Sequence, residues 1–106
     1  MILDAYLCTS DVCTVTALDL VRTCSEADVP LRIWPGRWLE DLSKAPIDDV
    51  ARVGVHAARL FEAGWKGELP ALVLEIPSAK TGEPVAYLAG GGEVWPEISR
   101  LVSEGA

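Results

Sequence analysis

Apolar positions recur along this chain with two spacings, and the switches between them mark out its elements. Ile2 to Leu7 (ILDAYL) is a short apolar run opposed only by Asp4, which suits a buried strand better than a helix. From Cys13 to about Ala27 the spacing lengthens: Ala17, Leu20, Val21 and Cys24 fall at i, i+3, i+4 and i+7, while Asp19, Arg22 and Glu26 take other faces. That pattern predicts an amphipathic helix, with Ser10 or Asp11 to cap its start and Pro30 beyond its end. Val29 to Trp34 (VPLRIW) alternates well enough for a second strand, closed by Pro35-Gly36. Pro46 is placed to open a helix over Ile47 to Ala63, where Val50, Val53, Ala57, Leu60 and Phe61 form a stripe that Gly64 ends. Leu72 to Ile76 and Val85 to Leu88 predict two strands joined by a polar turn, AKTGE. After Gly90-Gly91-Gly92, helical spacing resumes from Trp95 to Val102 through Ile98, Leu101 and Val102, provided Pro96 sits in the first turn.

The predicted order is βαβ-α-ββ-α, an α/β domain. Two strands joined by a helix lie parallel with a right-handed crossover, and two joined by a tight turn lie antiparallel, so a four-stranded mixed sheet flanked by helices follows. With 106 residues and no linker or repeat, residues 1–106 are expected to form a single domain around one core. Half of the residues are apolar and 24% are charged, a balance that excludes a disordered chain. The formal net charge of −7 leaves no cationic surplus to displace counterions from phosphates, so nucleic acid is not an expected partner. MILDAYLCTS lacks the pattern of a secretory leader, and no stretch approaches the roughly 20 apolar residues of a bilayer span; a cytoplasmic protein without membrane contact is expected.

Three cysteines are an odd number, and a reducing compartment does not favour a stapled scaffold. Cys13 stands at the mouth of the first predicted helix, where the helix dipole favours a thiolate, although Asp11 opposes it. Cys8, five residues earlier, ends the first strand and can pair with Cys13 in a redox or metal site if their Cα atoms come within about 7 Å. Packing is the competing reading. Cys24 is about 16 Å from Cys13 along the helix at about 1.5 Å per residue, so it belongs to the core. His56, the single histidine, reads as a surface or partly packed residue, with no second ligand at metal spacing. Trp34, Trp38, Trp65 and Trp95 read as core-edge packing, or else as an aromatic edge for a protein partner. The acidic pairs Glu40-Asp41 and Asp48-Asp49 read as solvated faces and caps.

Three segments in this order carry a resemblance to a known superfamily. TSDVCTVTAL resembles the active-site segment of glutaredoxins, Glu68-Leu69-Pro70-Ala71 resembles the segment bearing the cis-proline, and Gly90-Gly91-Gly92-Glu93 resembles the glycine turn before the last helix. Over almost its whole length the chain thus resembles the thioredoxin-like superfamily, its small glutaredoxin-like members above all. The resemblance implies thiol–disulfide exchange with Cys13 as nucleophile and Cys8 as resolving thiol, acting on a thiol or protein substrate. It also implies a substrate groove formed by Thr16, Leu69, Pro70, Gly91, Gly92 and Glu93, with Pro70 facing Cys13. Thr16 stands where the second active-site cysteine is found, so a dithiol cycle through that position is excluded. No resident cofactor is implied; glutathione is the small thiol the family uses, but the lysine that meets its carboxylate has no counterpart between Asp4 and Val12. Leu7 to Cys13 is similar also to the cysteine loop of the arsenical metallochaperone family ArsD, with Leu7 where that family has a further cysteine. This second resemblance implies a metalloid carrier binding arsenic or antimony through Cys8 and Cys13. A third class is a degenerate thioredoxin-like domain that binds a protein through its tryptophan-rich edge and performs no chemistry.

Overall fold

The structure, a computed structural model, describes residues 1–8 and 11–104, of 11–16 the backbone only. It is an α/β fold in three layers, with element order β1 (Ile2–Leu7), α1 (Asp11–Glu26), β2 (Leu31–Pro35), α2 (Arg37–Glu40), α3 (Val50–Glu62), β3 (Ala71–Pro77), β4 (Pro84–Gly90) and α4 (Trp95–Glu104). Short 3-10 turns at Leu42–Lys44 and Gly92–Val94 complete it. The four strands form one mixed sheet in the order β2-β1-β3-β4. The β1–β2 pair is parallel, as the helix crossover requires, and β3–β4 is antiparallel, as the short turn requires; β1–β3 is also antiparallel.

Strand β1 is central and buried on both faces, so its alternation separates two interiors instead of core from solvent. Leu3 and Ala5 join Leu20, Cys24, Val29, Leu72, Leu74, Ile98 and Val102 beneath α1 and α4. Tyr6 joins Val53, Leu60, Ala71, Val73 and Ala89 beneath α3. Each fully buried Leu or Ile in these layers contributes about 1.5–3 kcal/mol by removal from water.

Helix ends follow from local chemistry. α1 closes when Asp28 takes a left-handed turn (φ 56°), with Asp28 N–H donating to the Ser25 carbonyl at 3.3 Å and Val29 N–H to the Cys24 carbonyl at 2.9 Å. This Schellman closure satisfies two orphan carbonyls and puts Val29 in the core beside Cys24. It also delays β2 to Leu31, two residues later than the apolar pattern predicts. α3 ends in the same way at Gly64 (φ 83°), with Trp65 N–H donating to the Leu60 carbonyl at 2.9 Å. Its start is later than expected: Pro46 receives the amides of Asp49 and Val50 in a turn, and the helix begins at Val50. α2 and the 3-10 turn after it were not legible from periodicity, because four and three residues are too few to show any.

Candidate functional site

Cys8 follows the last residue of β1, at the end of the sheet where β2 leads into α2. Gly36 N–H donates to the Leu7 carbonyl at 2.9 Å and holds the two strand ends together. A Cβ on Gly36 would lie 2.4 Å from Leu69 Cδ1 and 3.0 Å from the Leu7 carbonyl, so a larger residue here would force the Leu69 side chain to shift. An open cavity of about 350 Å³ results, lined by Leu7, Cys8, Pro35, Gly36, Arg37, Glu40 and Leu69. Its walls are mixed: Leu7, Pro35 and Leu69 are apolar, and Arg37 and Glu40 bring one charge of each sign to it. Cys8 is disulfide-bonded. Cys24, by contrast, is a free thiol 2% exposed in the core, and burial raises its pKa. The core role expected for Cys24 is what the structure shows.

Position 13 is the third residue of α1, and the side chains of Cys13 and Thr16 lie outside the described residues. Pro70 is buried at the entrance to β3, and the Leu69–Pro70 peptide is cis, the isomer the resemblance implies for it. A Cβ on Gly92 would stand 3.8 Å from the Pro70 ring, so the glycine turn and the proline are neighbours. Glu93 turns back on its own loop: its Oε1 accepts from Gly91 N–H at 3.1 Å. The structure therefore brings Leu69 to Cys8, and Gly92 to Pro70, from segments far apart in sequence. Among the described residues no group of three or more His, Cys, Asp or Glu side chains is arranged to hold a metal ion. None of the described helices is long and apolar enough to cross a membrane.

A second cluster was missed by the sequence reading. Asp4 and His56 are 1% and 3% exposed, Asp4 on β1 beneath α3 and His56 on the buried face of that helix. Parallel register sets Arg32 beside Asp4 and Trp34 beside Tyr6. Asp4 accepts from Arg32 twice, Nε to Oδ1 at 2.6 Å and Nη2 to Oδ2 at 2.8 Å, and from the Trp34 indole N–H at 2.8 Å. His56 Nε2 stands 3.4 Å from Asp4 Oδ2, while His56 Nδ1 is 2.6 Å from the Tyr6 hydroxyl. Burial lowers the His56 pKa, so the ring is neutral; with its Nε2–H toward the carboxylate, Nδ1 accepts the Tyr6 proton. Desolvation, with Asp4 adding to it, pushes the Tyr6 pKa well above the usual phenol range. Tyr6 stacks on Trp34 at 6.2 Å between ring centroids, and Trp34 meets Trp38 at 5.8 Å. Two further indole nitrogens are engaged: Trp65 donates to the Glu68 carbonyl and Trp95 to Asp19, each at 2.6 Å.

This placement corrects the surface reading of His56. A lone Asp in the apolar run ILDAYL and a lone Arg in VPLRIW were the available signal, since a buried carboxylate needs a partner and parallel neighbours can supply it. Comparison with models of protein families, with curated protein sequences and with solved structures returned no match.

Proposed function

We propose that the protein is a thioredoxin-like thiol–disulfide exchange protein that works through Cys13 and Cys8. The observation that carries this reading is the disulfide at Cys8, on a cavity shared with Leu69 of the proline segment, while Cys24 stays free and buried. Cys13, the nucleophile that the resemblance implies, is the partner proposed for Cys8. Further support comes from the βαβ-α-ββ-α order and from the nearness of Gly92 to Pro70.

In the reduced protein the Cys13 thiolate attacks one sulfur of a substrate disulfide. A mixed disulfide forms, and the other substrate sulfur leaves as a thiolate that takes a proton from water. The Cys8 thiolate then attacks the Cys13 sulfur and expels the second substrate thiolate. The substrate has gained two electrons, and a Cys8–Cys13 disulfide remains for an external dithiol or glutathione to reduce. Position 13 in the first turn of α1 stabilises the attacking thiolate by about 0.3–1 kcal/mol through the helix dipole.

The test is reduction of insulin by dithiothreitol, and of a mixed disulfide by glutathione, with and without the protein. Cys13→Ser should return both rates to background, and Cys8→Ser should trap the mixed disulfide. Full activity in Cys13→Ser would end the proposal.

A further inference from the structure

The cluster beneath α3 does not touch the Cys8 cavity, and its arrangement has a use of its own. Two groups in it cannot both donate to each other: the Tyr6 hydroxyl and His56 Nδ1, 2.6 Å apart. Among the described residues the Tyr6 hydroxyl makes one hydrogen bond, this one, and Tyr6 is fully buried. A proton arriving at Nδ1 turns the acceptor into a donor, and the hydroxyl hydrogen is left without an acceptor. The Asp4 and Glu75 carboxylates favour that proton, so release is driven against their pull by burial of the new cation, by the Arg32 and Arg52 charges and by the lost Tyr6 hydrogen bond.

The groups facing His56 come from every element around it. Asp4 and Tyr6 face it from β1, Arg32 from β2 and Glu75 from β3, while Arg52 is on its own helix. Ala51, Arg52, Val55, Glu75 and Tyr87 line a cavity of about 310 Å³ that reaches His56, so water has a path to the ring once the helix lifts. α3 is held to the sheet by few apolar anchors, Val53 and Leu60 on either side of His56, together with Arg59, which lies 4.4 Å over the Tyr87 ring. Its C-terminal connection runs through Gly64 and Gly67, both at positive φ.

We infer that Asp4, Tyr6, Arg32 and His56 form a proton-operated latch, in which protonation of His56 releases α3 from the sheet while the strands and the α1–α4 side remain folded. The sign follows from the ring's neutral state. With α3 docked, His56 binds a proton less readily than a free imidazole (about 6.5), so docking is at full strength above that pH and weakens as pH falls below it. One proton per event changes the docked-to-released ratio by up to about tenfold per pH unit in that window.

Amide hydrogen exchange read by mass spectrometry, corrected for intrinsic pH dependence, tests this from pH 7.5 to 4.5. Peptides from 50–62 should lose protection by up to about tenfold per pH unit below 6.5, while those from 2–7 and 71–77 hold theirs. Trp34, whose ring is 6.5 Å from His56, should report the same midpoint by fluorescence. His56→Gln should abolish the pH dependence. Tyr6→Phe, which keeps the imidazole and removes the hydroxyl that stabilises its neutral form, should move the midpoint to higher pH. A single transition shared by α3 and the sheet, a midpoint unmoved by Tyr6→Phe, or an unchanged profile in His56→Gln would each overturn the latch. No readout involves Cys8 or Cys13, so the outcome is independent of the thiol proposal.

Discussion

Replacing Asp4 by Ala tests how much the buried cluster holds. The carboxylate accepts from Arg32 at 2.6 and 2.8 Å and from Trp34 at 2.8 Å, and it faces His56 Nε2 at 3.4 Å. These donors do not lose equally. The Arg32 side chain is 31% exposed and can turn to water, so its share is discounted to about 1 kcal/mol. The Trp34 indole and His56 nitrogens sit deeper, and an orphaned buried donor costs about 1–3 kcal/mol. The terms sum to about 3–7 kcal/mol, and the lower part of that span, about 3–5 kcal/mol, is the range for breaking a buried ion pair from one side. A domain of this size has about 5–15 kcal/mol in total, so about a fifth or more of it should go. Urea unfolding at pH 7.5, followed by tryptophan fluorescence and far-ultraviolet circular dichroism, measures this. For a slope near 1.5 kcal/mol/M the midpoint should fall by about 2–3 M. Glu104→Ala is the control, because the Arg100–Glu104 pair at 3.0 Å is exposed on both sides and should cost no more than about 0.5 kcal/mol. If the two substitutions cost the same, burial is not what gives the cluster its strength.

Three further outcomes follow from the packing. Leu60→Ala should cost about 2–5 kcal/mol and Phe61→Ala no more than about 0.5 kcal/mol, because Leu60 is fully buried while Phe61 is 82% exposed; chemical denaturation of both variants checks it. Gly36→Ala should destabilise by about 1–3 kcal/mol despite an ordinary helical φ of −61°, since the new methyl would meet Leu69 at 2.4 Å; a fall in thermal midpoint is expected, and a rise would refute the close approach. Under reducing conditions Cys24 should resist alkylation in the native protein and react on unfolding, because burial keeps its thiol protonated; peptide mapping after brief iodoacetamide exposure should leave it unlabelled.

Much of the fold was legible because its elements carry clean spacings. β1 occupies the predicted residues, the β3–β4 hairpin pairs through Leu74 and Leu88, and α4 buries Ile98 and Val102 as the pattern required. α3 shows where the reading stopped. Hydrophobicity favoured a face containing Phe61 and Ala57, yet the buried positions are Val53, His56 and Leu60. The helix turns a polar ring inward because Asp4 and Tyr6 wait for it on β1, fifty residues away in the case of Tyr6, and no local window contains that information. Cys8 was legible as a strand-end thiol, but its cavity was not: the wall that Leu69 provides depends on a glycine from another loop.

Strand β1 has a consequence for how this chain can drift. Leu3 and Ala5 look into an oily layer, where one hydrocarbon can stand in for another of similar volume. Their alternate neighbours, Asp4 and Tyr6, look into a layer where the polar side chains complete one another's hydrogen bonds among apolar ones. Positions 4, 6, 32, 34 and 56 are therefore energetically coupled, so that the cost of exchanging any one of them depends on which of the others is present.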